Sequence, residues 1–285
     1  MILLMLLAFA ETTLESRLRP LIESHQGKVA VAIKHLGTGE TFYHQADQVM
    51  PTASLIKLPV LIEAYLQADE GKLSLREEVT LRETEMVPGS GLLTYHFSDG
   101  ARFSLRDACR LMIAFSDNTA TNLVIDRVGI VAVNQRMTAW GLKETRLNAK
   151  VFRGSTTSVD KVRTAKYGLG STTAREMAAL WEQLIVGDKL RPALSRAILG
   201  HLKHNDDKDK FKRLLPAEVA LAHKDGAVSA ARTDAGVLFT PNAAMIVVVL
   251  TNDNTDRRWV QNNAGNVLCA KIARAVYDHY HPSTK

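Results

Sequence analysis

The sequence predicts an α/β (α+β) fold of two lobes, in which one antiparallel sheet is assembled from both ends of the chain. Strand-like apolar runs lie within residues 29–44 and return within 220–250, while helical periodicity dominates the segment between them. We therefore assign residues 11–50 and 207–285 to an α/β lobe with flanking N- and C-terminal helices. Residues 51–206 are assigned to an inserted all-helical lobe.

Each element follows from its own local pattern. Leu14, Leu18 and Ile22 recur at helical spacing and predict a helix over residues 13–25, bent or shortened by Pro20. The predicted strands cover residues 29–33, 40–44, 220–223, 236–239 and 245–250. The other predicted helices cover residues 58–66, 105–115, 120–128, 131–140, 173–185 and 256–279. Residues 146–169 have no clear period, which is typical of a functional loop.

Composition limits the classes of function. The 285 residues are 46% hydrophobic and carry a net charge of +6, with the basic residues scattered along the chain. Such scatter favours weak steering and solubility over a nucleic-acid interface. No segment is long enough to span a bilayer. The chain is large enough to bury a substantial core, and we expect a monomer.

The first ten residues and the two cysteines bear on the cellular compartment. Residues 1–10 are apolar and end in Ala8-Phe9-Ala10, a small-residue pattern that suits signal cleavage, although no basic residue opens the segment. We interpret it as a signal-peptide remnant and expect export to the periplasm or medium. Cys109 and Cys269 are far apart, which favours buried free thiols, with one disulfide as the alternative.

Ser54 and Lys57 form the first candidate catalytic pair. They are three residues apart at the start of an apolar helical run, so their side chains share one helical face. A serine hydroxyl needs a base to become a nucleophile, and a lysine amine serves only if burial or a nearby cation lowers its pKa. Taken alone, the pair is better explained by an N-capping serine and a solvated lysine.

Two further motifs follow in order and change that interpretation. Ser116-Asp117-Asn118 lies between two predicted helices, and Lys224-Asp225-Gly226 ends a predicted strand. With Ser54 and Lys57, this set resembles the motifs of class A β-lactamases and of related D,D-peptidases and penicillin-binding proteins. The resemblance runs from about residue 13 to the end and includes Thr145-Arg146-Leu147. It implies a β-lactamase-like fold with no metal and no cofactor.

The resemblance also implies catalytic roles. Ser54 would attack the amide carbonyl and become acylated, while Lys57 would accept its proton directly or through water. Ser116 would pass a proton to the leaving nitrogen, and Lys224 would stabilise the charge that moves there.

Substrate-binding roles follow in the same way. Asn118 would bind the substrate's amide side chain and hold Lys57. Gly226 would allow close approach, and the backbone N–H of Ala227 would join that of Ser54 in an oxyanion hole. Arg232 would pair with a substrate carboxylate, or else be a surface arginine in a strand connection.

Two departures from the family pattern concern the reaction. The glutamate that activates the hydrolytic water in class A β-lactamases would fall near Val151, and only a rearrangement would let Glu144 or Asp160 replace it. We therefore expect slow deacylation. Asp225 replaces a hydroxyl that binds the substrate carboxylate, so it would repel that group unless Lys224 or Arg232 neutralises it or it turns away. This leaves room for a neutral or cationic substrate.

The sequence thus predicts a serine hydrolase that forms an acyl-enzyme on β-lactams, with weak β-lactam hydrolysis. The alternatives are a D,D-peptidase or other cell-wall peptide amidase acting on peptidoglycan-type peptides, and a penicillin-binding protein without turnover. Cys109 matches a family disulfide position, but its usual partner position is occupied by Leu61. That family bridge is therefore absent.

Overall fold

The computed structural model describes residues 13–241 and 243–282, so the predicted signal segment lies outside it. Its centre is a five-stranded antiparallel sheet formed by β1 (Lys28–His35), β2 (Thr41–His44), β8 (Ala220–Val228), β9 (Ala231–Phe239) and β10 (Ala244–Asn252). These strands lie side by side in the order β2-β1-β10-β9-β8. The first two strands and the last three come from opposite ends of the chain, as predicted.

The helices cover both faces of this sheet. They are α1 (Leu14–Glu23), α2 (Lys57–Asp69), α3 (Leu93–His96), α4 (Leu105–Ala114), α5 (Asn118–Val128), α6 (Ile130–Ala139), α7 (Gly154–Thr157), α8 (Lys161–Tyr167), α9 (Ala174–Ile185), α10 (Pro192–Leu202) and α11 (Ala264–Tyr280). One apolar cluster joins α1 and α11 to one face of the sheet, through residues such as Leu18 and Ile272. A larger cluster joins the other face to α2, α4, α5, α6 and α9. The two-lobed α+β architecture predicted from the sequence is confirmed.

Central strands are apolar on both faces because both faces are covered. In β10, every residue from Met245 to Thr251 is buried, which is typical of a strand between two helical layers. Strand β8 lies at the sheet edge, pairs only with β9 among the described strands, and packs against the turn that carries Ser54. This edge forms one wall of the cleft between the sheet and the inserted helices.

The inserted segment is not purely helical. It also contains β4 (Glu78–Thr80), β5 (Arg102–Ser104), β6 (Arg146–Leu147) and β7 (Gly170–Thr172), and β3 (Met50–Pro51) pairs with β7 at its boundary. These strands have two or three residues, too few for an alternating pattern to be recognised. The β6–β7 pair closes the base of the loop at residues 148–169.

The sequence predicted that the last helix begins at residue 256, but it begins at Ala264. The Asn263 side chain caps the helix by accepting from the Gly265 N–H, and Asp256 accepts from the Ala264 N–H at 2.9 Å. The apolar residues that suggested an earlier start include Val260, which is exposed in the preceding loop. That loop carries Trp259 to the mouth of the cleft.

The two cysteines are buried free thiols, as expected. Burial raises the pKa of the Cys109 thiol to about 12 and that of Cys269 well above its ordinary value. Both thiols therefore stay protonated near neutral pH. Among the described helices, none has the length and apolar character needed to cross a bilayer.

Candidate active site

Ser54 lies in a 3-10 turn, Ala53–Ile56, that leads directly into α2. Ala53 has a left-handed backbone conformation with φ of 46°, which is unfavourable for a residue with a Cβ. This kink turns the chain at the start of the helix and leaves Ser54 partly exposed in the cleft, while its neighbours are buried. Strain of this kind is found at sites where the fold holds a reactive group in place.

Lys57 is fully buried one helical turn after Ser54 and points at the Ser116 loop. Its Nζ donates to the Ser116 carbonyl oxygen at 2.6 Å and to the Asn118 Oδ1 at 3.0 Å. It also lies 3.1 Å from the Ser116 Oγ. The structure therefore places the second motif directly on the Lys57 amine, which follows Ser54 by one helical turn.

The surroundings of Lys57 favour its neutral form. Burial lowers the pKa of Lys57 well below its ordinary value, and the nearby charge of Lys224 lowers it further. Asp225 and Asp117 act in the opposite direction but do not cancel these effects. An amine held in this way can accept a proton from a hydroxyl near neutral pH.

A second loop fixes the Ser116 loop from the outside. The Asp117 carboxylate accepts from the backbone N–H groups of Leu92 and Leu93 at 2.6 and 2.8 Å, and from Ala120 at 2.8 Å. Gly91 packs so closely on Asp117 that a Cβ there would collide with it. The supporting Pro88–Gly91 segment was not recognised from the sequence, although its clustered glycines were an available signal.

Strand β8 brings the third motif against the nucleophile. A Cβ on Gly226 would lie 2.6 Å from the Thr52 carbonyl oxygen and 2.9 Å from the Ser54 backbone nitrogen. Only glycine allows this approach without moving one of the two segments. The backbones that carry the N–H groups of Ser54 and Ala227 therefore meet at one place, as the proposed oxyanion hole requires.

Asp225 is neutralised mainly by two lysines. Its Oδ1 accepts from the Lys224 Nζ at 2.8 Å, and its Oδ2 accepts from the Lys210 Nζ at 3.3 Å. These two charges hold the pKa of Asp225 well below its ordinary value despite its burial. Asn205 also donates to Oδ1 at 3.2 Å, and Lys210 pairs with Asp207 at 2.7 Å. Lys224 was expected in this role from the sequence, whereas Lys210 was not.

Arg232 is neither a surface arginine nor part of the cleft lining, so its position matches neither sequence-based interpretation. It lies within β9, is 2% exposed, and donates to the carbonyl oxygens of Val228, Ala231 and Arg258. Its guanidinium also stacks on the Trp259 ring, with 4.7 Å from Cζ to the ring centroid. Arg232 thus organises the loop at the cleft mouth and is absent from the cleft lining.

The cleft beside Ser54 has a volume of about 590 Å³. Its lining combines the motif residues with apolar side chains: Ala53, Ser54, Gly89, Ser90, Ser116, Asn118, Ala149, Lys150, Val151, Phe152, Gly154, Thr164, Gly168, Leu169, Asp225, Ala227, Val228, Ser229 and Trp259. Asp225 is the one carboxylate among these residues, and it is already ion-paired. No second carboxylate therefore lines the cleft in the described parts of the chain.

In the loop at residues 148–169, Val151 lines the cleft at the position where the resemblance to class A β-lactamases implied a glutamate. Asn122 fixes this position, since its Oδ1 accepts from the Val151 N–H at 2.8 Å and its Nδ2 donates to the Val151 carbonyl at 3.0 Å. Glu144 and Asp160 line a separate cavity, where Glu144 pairs with Arg163 at 2.8 Å. Neither can replace the missing base in this conformation.

Comparisons with known proteins agree with this geometry. The family model described as "Beta-lactamase enzyme family" matches residues 13–280. A β-lactamase of Streptomyces lavendulae is 28% identical over 264 residues, covering 90% of this chain and 83% of that protein. A β-lactamase of Streptomyces fradiae is 29% identical over 274 residues, covering 92% and 84%.

Solved structures of β-lactamases and of a penicillin-binding protein are also similar to this chain. A β-lactamase from Sphaerobacter thermophilus superposes with a TM-score of 0.82 at 28% identity, covering 93% of this chain and 97% of that one. A mutant of PBP-A, captured as an acyl-enzyme with penicillin G, superposes with a TM-score of 0.80 at 26% identity, covering 95% and 97%. With its three motifs gathered around one cleft, the chain belongs to the β-lactamase enzyme family.

Proposed function

We propose that this protein is a serine β-lactam hydrolase that forms an acyl-enzyme through Ser54 and deacylates slowly. The observation that carries the proposal is the buried Lys57 amine, which contacts both Ser116 and Asn118 one helical turn after Ser54. Burying a lysine is costly, and burial here lowers the pKa of the Lys57 amine well below its ordinary value. Its value lies in accepting a proton.

Acylation follows from these contacts. The Lys57 amine accepts the Ser54 hydroxyl proton as Oγ attacks the lactam carbonyl carbon, and the N–H groups of Ser54 and Ala227 stabilise the resulting oxyanion. When the C–N bond breaks, Ser116 donates its hydroxyl proton to the leaving nitrogen. Lys57 then returns a proton to Ser116 across the 3.1 Å contact between them. The product is an ester on Ser54 and a neutral Lys57.

Deacylation is the step that the cleft supports least. Water must lose a proton as it attacks the ester, and a positioned base contributes roughly 10²–10⁴-fold to such steps. The one lining carboxylate, Asp225, is held in ion pairs with Lys224 and Lys210. Lys57 is the remaining candidate base, which supports slow turnover and a long-lived ester.

Intact-mass spectrometry after mixing with benzylpenicillin tests the proposal. We expect an adduct of one penicillin mass that disappears slowly as the ring-opened product is released, and no adduct on Ser54→Ala. Ser229→Ala is a matched control, because Ser229 lines the same cleft from the turn between β8 and β9, and it should still be acylated. An adduct that persists on Ser54→Ala would refute the assignment of the nucleophile.

The same experiment separates the alternatives. The family match and the relatives named β-lactamases favour β-lactam turnover over cell-wall peptide hydrolysis. An adduct that never decays would instead indicate a penicillin-binding protein without turnover. We further propose that the protein is exported and monomeric, which cell fractionation and sedimentation equilibrium would test.

A further inference from the structure

We propose that this cleft prefers acyl donors that carry no negative charge next to Asp225, and that it selects against the carboxylate form of the same compound. The inference rests on the proposed acylation of Ser54 and adds a substrate class to it. Two independent observations support it: the ion pairing of Lys150, Lys210 and Lys224, and the apolar character of much of the remaining lining.

The first observation is that no unpaired cation lines the cleft in the part of the chain that the structure describes. Lys150 is the one basic residue in the described lining, and its Nζ contacts both oxygens of Asp126, at 2.6 and 2.8 Å. Lys224 and Lys210 are buried behind the lining and share Asp225. An incoming carboxylate would therefore lose its hydration without gaining a salt bridge.

Asp225 would also repel the carboxylate of an incoming substrate. Its side chain lines the cleft and is 14% exposed, while Oδ1 accepts two hydrogen bonds and Oδ2 accepts one. A carboxylate can accept about four hydrogen bonds, so Asp225 can still accept from a substrate N–H or O–H group. It cannot bind a second carboxylate favourably. The site thus favours a neutral or donor group at this position.

The second observation is an apolar wall within the cleft lining. It is formed by Val151, Phe152, Leu169, Val228 and Trp259. The Phe152 and Trp259 side chains are 65% and 70% exposed, so they would lose contact with water when a substrate binds. The Trp259 ring is held by the Arg232 guanidinium and is therefore preorganised. This wall suits a bulky apolar substituent.

The test compares benzylpenicillin with its methyl ester, which differ only by the charge of one group. Rates of Ser54 acylation are measured by intact mass, and each is divided by the alkaline hydrolysis rate of the same compound to correct for ring reactivity. We expect the wild-type protein to react with the ester at least as fast as with the acid. In Asp225→Asn, which frees the lysines to attract an anion, the acid-to-ester ratio should rise by about tenfold or more.

The matched control is Asp278→Asn, which makes the same change in net charge. Asp278 pairs with Arg274 on α11, on the sheet face opposite the inserted helices, and its substitution should leave the ratio unchanged. A wild-type preference for the acid of tenfold or more would overturn this inference while leaving acylation intact. Reaction with neither compound would overturn the proposed function and this inference together. If thermal melting shows that Asp225→Asn does not fold, the wild-type ratio alone decides.

Discussion

Placing a carboxylate at position 151 should convert a slow enzyme into a faster one. Val151 lines the cleft, and Asn122 holds both its backbone N–H and its carbonyl, at 2.8 and 3.0 Å. Val151→Glu would therefore extend a carboxylate from a fixed backbone into the cleft that contains Ser54. There it can accept the proton of the water that attacks the ester.

The size of the effect follows from general-base catalysis. A positioned base contributes roughly 10²–10⁴-fold, equivalent to about 3–5 kcal/mol in activation free energy. We expect the deacylation rate with benzylpenicillin to rise within this range. Acylation should change by no more than about tenfold, because an added negative charge raises the pKa of Lys57 and makes it less often neutral.

The assay is the decay of the acyl-enzyme followed by intact mass after excess penicillin is removed. Val151→Gln is the matched control, since glutamine has the length of glutamate but cannot accept a proton at neutral pH. Equal acyl-enzyme lifetimes for the Glu and Gln variants would refute the reasoning. The deacylation defect would then have a cause other than a missing base.

Three further predictions concern the site and its stability. Gly226→Ala should lower the acylation rate by at least about tenfold, as measured by intact mass, because its Cβ would press on the Ser54 backbone. Lys224→Gln should move the acid limb of the acylation pH profile to higher pH, because loss of that charge raises the pKa of Lys57, whereas Lys224→Arg should not. Burial lowers the pKa of His201 from 6.5 to about 4, so unfolded chains bind the extra proton between these values and stability falls as the pH drops through this window. Urea unfolding should show a loss of up to about 3 kcal/mol between pH 6.5 and 4 that is smaller in His201→Gln; an equal loss in both proteins would contradict the assignment to His201.

The catalytic motifs could be located from the sequence because each carries a local signal. Ser54 and Lys57 share one helical face, the Ser116 loop separates two helical patterns, and Gly226 ends a recognisable strand. Their order along the chain allowed the family to be identified. The fold class followed from periodicity alone, since apolar strand patterns near both ends of the chain flank a long segment of helical patterns.

The remaining parts depend on contacts between distant segments. Lys210 has no motif of its own, and its role became visible only when the fold placed it beside Asp225. An acidic residue at that position did imply a cationic partner, and the sequence could not say which one. Strand β9 was predicted to begin only at residue 236, whereas it begins at Ala231. Its first half contains the polar residues Arg232 and Asp234, which have buried partners there.

The pairing of β1 with β10 has a consequence for synthesis. Lys28–His35 pairs with residues 245–252, so more than two hundred residues must leave the ribosome before the first strand gains its central neighbour. At typical elongation rates of about 5–20 residues per second, that wait lasts roughly 10–40 s. During this interval an apolar strand has an open edge, and such edges associate readily with other chains. We therefore expect the nascent protein to need chaperones until the β9–β10 hairpin has been translated.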